Sequence, residues 1–387
     1  MNKRLLIFLL SALFIFQFSA RGASLTQRKS GSAQEIPEAV RSKVIRRRGL
    51  FVSLIQNPPT LSSRADMEQL VLFAKKSGVK ILFVQVYRAN QAWFPSKVGD
   101  TAPYKVSLKS LGEDPFAFLI KEAHLAGIEV HAWLNMLTLS TNDKAPLLKK
   151  YGPSILTRNQ DKKTNLEDYK IDNQYFLEPG DPRVRKELVA MVEEIVRAYP
   201  HLDGVQFDYI RYPDSHPRYG YTENNMERFK KKTGLKVIVE GSRVWNDWKR
   251  AQVTELLMSL IQKVHSIRPN IQVSATGCMS YVRALHEAFQ DWPSWVNTGL
   301  VDFVTVMNYS ADPGEYTLGN ASAITKVKDI RKLYLGVPAY KLVKTPEVFQ
   351  NEWRSCEKSG AALCAAFHYG SFLEDAALEK PLLAAES

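Results

Sequence analysis

The chain is expected to be an α/β protein folded as a TIM (β/α)8 barrel with insertions after its third and fourth strands, and three observations carry that expectation. Short apolar runs recur eight times, at residues 48–54, 80–87, 128–135, 204–210, 271–277, 303–309, 333–340 and 363–372. Amphipathic stretches separate many of them, at 66–77, 114–126, 181–199, 245–267 and 346–359, several opened by an Asp or a Pro. Such alternation implies parallel neighbours joined by right-handed crossovers, and eight units close on themselves. No glycine-rich phosphate turn follows the first strand, which disfavours an open doubly wound sheet.

Length agrees, because a barrel of this kind takes about 250 residues before insertions. The surplus falls at 137–176, rich in Lys, Asn, Asp and Gln, and at 214–243. Both follow strand C-terminal ends, where barrels build their sites. The first reads as a solvated, partly mobile decoration or as a substrate lid. Before the barrel, Lys3 and Arg4 precede an apolar run over 5–18 and then Ala20-Arg21-Gly22, the pattern of an export signal with a small-x-small cleavage site. The expected organisation is a signal peptide at 1–22, a polar linker at 23–47, the barrel at 48–375 and a C-terminal tail at 376–387. The mature protein is then periplasmic or extracellular, with no stable membrane anchor.

The formal net charge is +12. An exported basic protein suits acidic cell-wall polymers, whereas no nucleic-acid-binding module is visible. The cysteines number three. They allow at most one disulfide within the chain, with Cys356 and Cys364 the pair near enough in sequence to consider. No His/Cys/Asp group has metal-ligand spacing, so neither metal nor cofactor is expected.

The most telling segment is the fourth strand, Asp203-Gly204-Val205-Gln206-Phe207-Asp208-Tyr209-Ile210-Arg211-Tyr212-Pro213. An Asp on the inward side of a parallel strand must be hydrogen-bonded or used. The period of two places Gln206 beside Asp208, groups His131, Trp133 and Asn135 on the third strand, and groups Gln85 with Tyr87 on the second. Arg211 follows the fourth strand. On the sixth, Met307 and Tyr309 share a face with Asp312 beyond, and His368 lies late in the eighth. Aromatic rings beside amides and carboxylates suit a sugar, since rings cover apolar sugar faces while polar groups bind hydroxyls and N-acetyl groups.

These segments resemble those of the bacterial family 10 glycosylhydrolase-like proteins, an exported barrel family tied to cell-wall glycan cleavage. The resemblance rests on the fourth-strand segment together with Arg48-Gly49-Leu50-Phe51, Phe83-Val84-Gln85-Val86-Tyr87, Val130-His131-Ala132-Trp133-Leu134-Asn135, Trp245-Asn246-Asp247-Trp248-Lys249-Arg250 and Gln290-Asp291-Trp292-Pro293-Ser294-Trp295. It implies a glycoside hydrolase whose partner is a polysaccharide, peptidoglycan strands foremost. Chitinase-type glycosidases are more distantly similar: Asp203, Gly204, Asp208, Met307 and Tyr309 fit their pattern. Gln206, Ile210 and Ser310 depart from it, and Ile210 stands where the general acid Glu would be.

Glycoside cleavage ordinarily uses two carboxyl groups. Asp208 is the first, and Asp312, Glu178 and Asp181 are candidates for the second, although Asp181 precedes Pro182 and reads better as a helix N-cap. Tyr309 would relieve that need by orienting a reacting N-acetyl group. The expected catalytic set is Asp208, Asp312 and Tyr309. The expected substrate-binding set is Gln85, Tyr87, His131, Trp133, Asn135, Gln206, Arg211 and His368. A non-catalytic carbohydrate-binding barrel and a glycosidase of another exported polysaccharide fit the same residues.

Overall fold

The eight apolar runs become eight parallel strands: β1 (Arg47–Val52), β2 (Val79–Arg88), β3 (Glu129–Asn135), β4 (Gly204–Asp208), β5 (Gln272–Cys278), β6 (Phe303–Met307), β7 (Leu333–Val337) and β8 (Leu363–Phe367). Each pairs with the next, and β1 pairs with both β2 and β8, so the sheet closes. This computed structural model describes residues 47–383 apart from residue 215. The expected signal peptide and all but the last residue of the expected linker lie outside the described residues.

Eight helices alternate with the strands: α1 (Arg64–Lys76), α2 (Pro115–Leu125), α3 (Pro182–Ala198), α4 (Arg243–Ile267), α5 (Trp292–Asn297), α6 (Pro313–Ile324), α7 (Pro346–Lys358) and α8 (Tyr369–Glu374). Their starts follow local chemistry. Ser63, Asp114, Asp181, Ser242, Asp291 and Asp312 each accept a first-turn backbone N–H. Pro occupies the opening positions of five of the eight helices, where its missing N–H costs no intrahelical bond.

Strand parity divides the apolar residues into two cores. Outward side chains such as Leu82, Val84, Val205 and Phe207 join the helices in the larger one. Inward ones form an aromatic plug of Phe51, Phe83, Trp133, Phe303 and Tyr334. Phe51 stacks on Phe83 at 4.8 Å and Phe303 on Tyr334 at 4.0 Å. The barrel axis is therefore filled, and a ligand can enter only above the plug.

Several elements stop sooner than their apolar runs. β4 ends at Asp208 because Tyr209 turns into the left-handed region at φ 54°. β7 ends at Val337 because Pro338 has no N–H to continue the ladder. The end of the eighth run becomes α8. β2 carries a bulge: Gln85 pairs with Trp133 and Tyr87 with Leu134, so one extra residue, Val86, opens the register.

The segment at 137–176, expected as a solvated decoration or lid, is instead folded onto the barrel. It contains an antiparallel ribbon, Thr138–Ser140 with Tyr175–Phe176, and buries Leu139, Leu147, Ile155 and Tyr175. The second insertion holds a helix at Glu223–Thr233, and its Tyr221 and Phe229 form a small aromatic cluster with Trp245 of α4. Cys356 and Cys364 form a disulfide between α7 and β8, while Cys278 is buried and free. Packing also continues past residue 375. Leu378 and Leu382 are buried, and Arg48 Nη1 donates to the Leu382 carbonyl at 2.5 Å.

Gly204 opens β4 against the His131 ring, and a Cβ there would fall 2.2 Å from His131 Nδ1. His131 is fully buried between Phe83 and Phe303 and has nowhere to retreat. Gly204→Ala is therefore expected to lower unfolding free energy by about 1–3 kcal/mol, the usual cost of overpacking. A denaturation midpoint equal to that of the parent chain would show that the ring can move.

Candidate active site

Above the plug, the C-terminal ends of the strands open into a cavity of about 760 Å³. Asp208, only 4% exposed, sits in its wall. Four donors converge on its oxygens. Trp133 Nε1 donates to Oδ2 at 3.0 Å, while the Thr276 hydroxyl at 2.6 Å, the Tyr209 backbone N–H at 2.7 Å and Arg211 Nη1 at 3.3 Å reach Oδ1. The strands set this up directly, because register places Asn135 opposite Asp208 and puts β3 and β5 on its two sides. The left-handed turn at Tyr209 aims its N–H back at the carboxylate. Strain of this kind, about 1–3 kcal/mol for a non-glycine residue, persists where the surroundings hold it.

Arg211 also meets Asp214 through Nε at 3.2 Å and lies 4.2 Å over the Tyr209 ring. One guanidinium thus bridges two carboxylates that line the same cavity. On the β2 side, Gln85 Nε2 donates to Asn135 Oδ1 at 3.0 Å, and Gln85 Oε1 accepts from the Leu54 N–H at 3.2 Å and the Ser53 hydroxyl at 3.3 Å. This locks both amides at the cavity edge.

The opposite wall is aromatic. Phe367 contacts Tyr309 at 5.0 Å, Tyr340 at 5.5 Å and Trp133 at 5.7 Å, making a continuous band of rings. Gly336 makes room for it, since a Cβ there would lie 2.9 Å from Tyr309 Cε1. Burial, and then the charge of Asp208, push the Tyr309 phenol well above its ordinary value. It is a hydroxyl donor at any physiological pH.

Behind the cavity, Gln290 ties two strand ends together. Its Oε1 accepts from the Cys278 N–H at 2.8 Å, and its Nε2 donates to the Thr276 and Ile210 carbonyls at 3.1 and 3.2 Å. Trp292 Nε1 donates to the Cys278 carbonyl at 3.2 Å. The Gln290–Trp295 segment is therefore a clamp that holds the site from outside.

Of the residues expected to bind or react, Gln85, Trp133, Asn135, Asp208, Arg211 and Tyr309 line the cavity, and the rest do not. Tyr87 is turned outward by the bulge into the helix-facing core, where its hydroxyl accepts from Asn90 Nδ2 at 3.0 Å. His131 and Gln206 face inward but one layer too low. His131 belongs to the plug, and Gln206 Nε2 donates to Thr305 Oγ1 at 2.9 Å. Asp312 is exposed and caps α6, accepting the Glu315 N–H at 2.8 Å. His368 caps α8 through Nδ1, which accepts the Gly370 N–H at 3.1 Å, and burial pushes its imidazole down. Asp181 is the cap of α3 and is bound by Arg183.

Sequence reasoning missed Arg88, Tyr209, Asp214, Thr276, Arg283 and Glu315, all of which line the cavity. Thr276 was within reach of the parity argument, being two residues from Ser274 on the inward face of β5. Arg88 was hidden by the bulge. The others lie beyond strand ends, where the period of two gives no signal. Among the described residues no His/Cys/Asp/Glu group could hold a metal ion, and no helix is long and apolar enough to cross a membrane.

A family model described as Glycosyl hydrolase-like 10 matches residues 50–355. The chain belongs to this family. Glycosyl hydrolase DigH of Escherichia coli K12 is 28% identical over 327 residues, spanning 77% of this chain and 71% of that protein. Glycosyl hydrolase YngK of Bacillus subtilis strain 168 is 24% identical over 296 residues, spanning 69% of this chain and 54% of that protein. The fold is also that of the PgaB (BpsB) glycoside hydrolase domain from Bordetella bronchiseptica. That structure has a TM-score of 0.65 at 16% identity, over 89% of this chain and 100% of that one. In this glycosyl hydrolase-like 10 barrel, Ile210 is fully buried in the outer core, so the position of the chitinase-type acid is apolar and closed to a ligand.

Glu178, a candidate second carboxyl, lies outside the cavity and joins the first insertion to the turn after β4. It accepts from Tyr212 at 2.5 Å, Thr157 at 2.9 Å and the Gly180 N–H at 3.3 Å, and burial pushes its carboxyl up. Nearby, Lys249 is buried with its ammonium 3.7 Å from the Phe289 ring centroid, donating to the Pro217 carbonyl at 2.7 Å. Burial pushes Lys249 down to about 7, against the pull of Glu178. An unfolded lysine keeps its proton up to about 10.4. Between these values the unfolded chain holds a proton that the folded one has lost, so this group makes stability rise with pH across that window. Below about 7 both states are protonated, and the folded state carries the full cost of a buried ammonium. Lys249→Met is expected to gain on the parent chain most at pH 6 and to lose that lead by pH 10. Paired denaturant titrations check this, and a lead independent of pH would refute it.

Proposed function

We propose that the protein is an exported glycoside hydrolase that cuts an N-acetylated cell-wall glycan, with peptidoglycan strands as the substrate. The observation that carries this reading is the buried Asp208 carboxylate, gripped by four donors and facing a band of aromatic rings across one cavity. Rings suit sugar faces, and a fixed carboxylate suits the positive charge that develops at the anomeric carbon. Tyr309, held as a hydroxyl, is placed to donate to a substrate acetamido oxygen and orient it. Asp214 shares Arg211 with Asp208 and is the more exposed of the two, which suits it to exchange a proton with the leaving oxygen. The names of the DigH and YngK relatives support glycosidase chemistry. Export is supported by the apolar run over 5–18 and by the Cys356–Cys364 disulfide, since such bonds persist mainly in oxidising compartments.

The test is release of soluble fragments from peptide-free peptidoglycan, analysed by mass. Asp208→Asn keeps the shape but removes the charge and one acceptor oxygen, so turnover is expected to fall about a hundredfold or more, while the buried donor left unanswered costs about 1–3 kcal/mol of stability without unfolding the barrel. Wild-type turnover in Asp208→Asn would remove Asp208 from the chemistry. Glycan binding without any fragment release by the parent chain would make the barrel a carbohydrate-binding protein instead.

A further inference from the structure

We infer that the sugar bound in this cavity carries a carboxylate, received by Arg88 and Arg283 with Lys341 at the rim. The inference rests on the proposed glycosidase reading and adds the charge of the substrate to it. It begins from a charge account of the cavity wall. Four cations line it: Arg88, Arg211, Arg283 and Lys341. Three carboxylates do so as well, but Asp208 and Asp214 are both taken by Arg211. Only Glu315 is left, and it is an exposed residue that accepts from Ser310 Oγ at 2.9 Å.

Among the described residues, Arg88, Arg283 and Lys341 make no ion pair with any carboxylate. Arg283 donates to the Met279 carbonyl and Lys341 to the Tyr309 carbonyl at 2.8 Å, while the Arg88 side chain has no hydrogen-bond partner among the described residues. Elsewhere this fold pairs its arginines readily, as in Arg47–Glu129, Arg183–Asp181 and Arg331–Asp329. Three uncompensated cations gathered in one concave, partly apolar wall focus a positive potential that a neutral sugar would leave unanswered. They come from three sectors of the mouth, at the end of β2 and after β5 and β7, so an anion between them is approached from several sides.

Arg88 is aimed there by the bulge. In an unbulged strand of the same sequence, parity would present Tyr87 to the cavity. With the bulge, Tyr87 turns out and Arg88 turns in. Bulges that re-aim a side chain are concentrated beside active sites. A guanidinium offers a two-pronged fit to a carboxylate. A peptidoglycan strand stripped of peptide carries such a group, the lactyl carboxylate of its N-acetylmuramic acid units.

The experiment compares peptide-free peptidoglycan oligomers with the same oligomers whose carboxylates have been converted to methylamides. The measured quantity is the ratio of kcat/KM between the two, which does not depend on the fraction of active protein. The parent chain is expected to prefer the carboxylate form about tenfold or more, equivalent to about 1.4 kcal/mol, and the preference should shrink as salt is raised. Arg88→Ala and Arg283→Ala should each bring the ratio toward one, and Arg88→Lys should restore part of it. Equal cleavage of both oligomers by the parent chain would overturn the inference while leaving the glycosidase reading intact. A preference undiminished in both alanine variants would also overturn it. Cleavage of neither oligomer would overturn the glycosidase reading and this inference with it.

Discussion

A carboxylate taken out of water costs several kcal/mol unless its oxygens are answered, and the structure around Asp208 is arranged to answer them. The donors come from the neighbouring strand on each side, from the residue that follows, and from a guanidinium three positions on. A slip of one residue between β3 and β4, or between β4 and β5, would remove Trp133 or Thr276 from reach. The hydrogen bonds at the site and the register of the barrel are therefore one constraint, and the chain satisfies both or neither.

That constraint extends outward through residues that never meet a ligand. Gln290 holds the ends of β4 and β5 at fixed separation, and Trp292 braces β5 from outside. Glu178 joins Thr157 of the first insertion to Tyr212 of the turn below the second. Much of what looks like a functional signature in the sequence serves this scaffold. The tryptophans at 245, 292 and 295 are all buried, and none lines the cavity. Trp245 packs on Tyr221 and Phe229, Trp292 holds the Cys278 carbonyl at the end of β5, and Trp295 Nε1 donates to Thr254 Oγ1 of α4 at 3.0 Å.

The architecture was legible because hydrophobic periodicity records which side of each strand meets a core, and that record placed Gln85, Trp133, Asn135 and Asp208 correctly around the axis. Height along the axis was not legible. His131 and Gln206 share the inward parity of the site, but His131 packs within the plug and Gln206 is bound to Thr305 below the cavity. Asp312 could have been read from sequence, since Asp-Pro-Gly-Glu is as good a helix start as the Asp181-Pro182 pair that was recognised as one. Tyr209, Asp214 and Arg283 could not. They follow strand ends, where side-chain direction depends on turn conformation and on distant partners such as Gln290.

The bulge in β2 has a meaning for how such a barrel can change. Strand pairing below Gln85 is untouched by it, so the closed sheet, the plug and the helix packing are indifferent to its presence. Only the last residues of the strand exchange sides. Gain or loss of a bulge at a strand tip can therefore exchange a phenol and a cation at the cavity mouth without changing the identity of either residue. A fold that tolerates this carries a discrete selector at each strand end, through which ligand charge can be altered while the barrel that presents it stays the same.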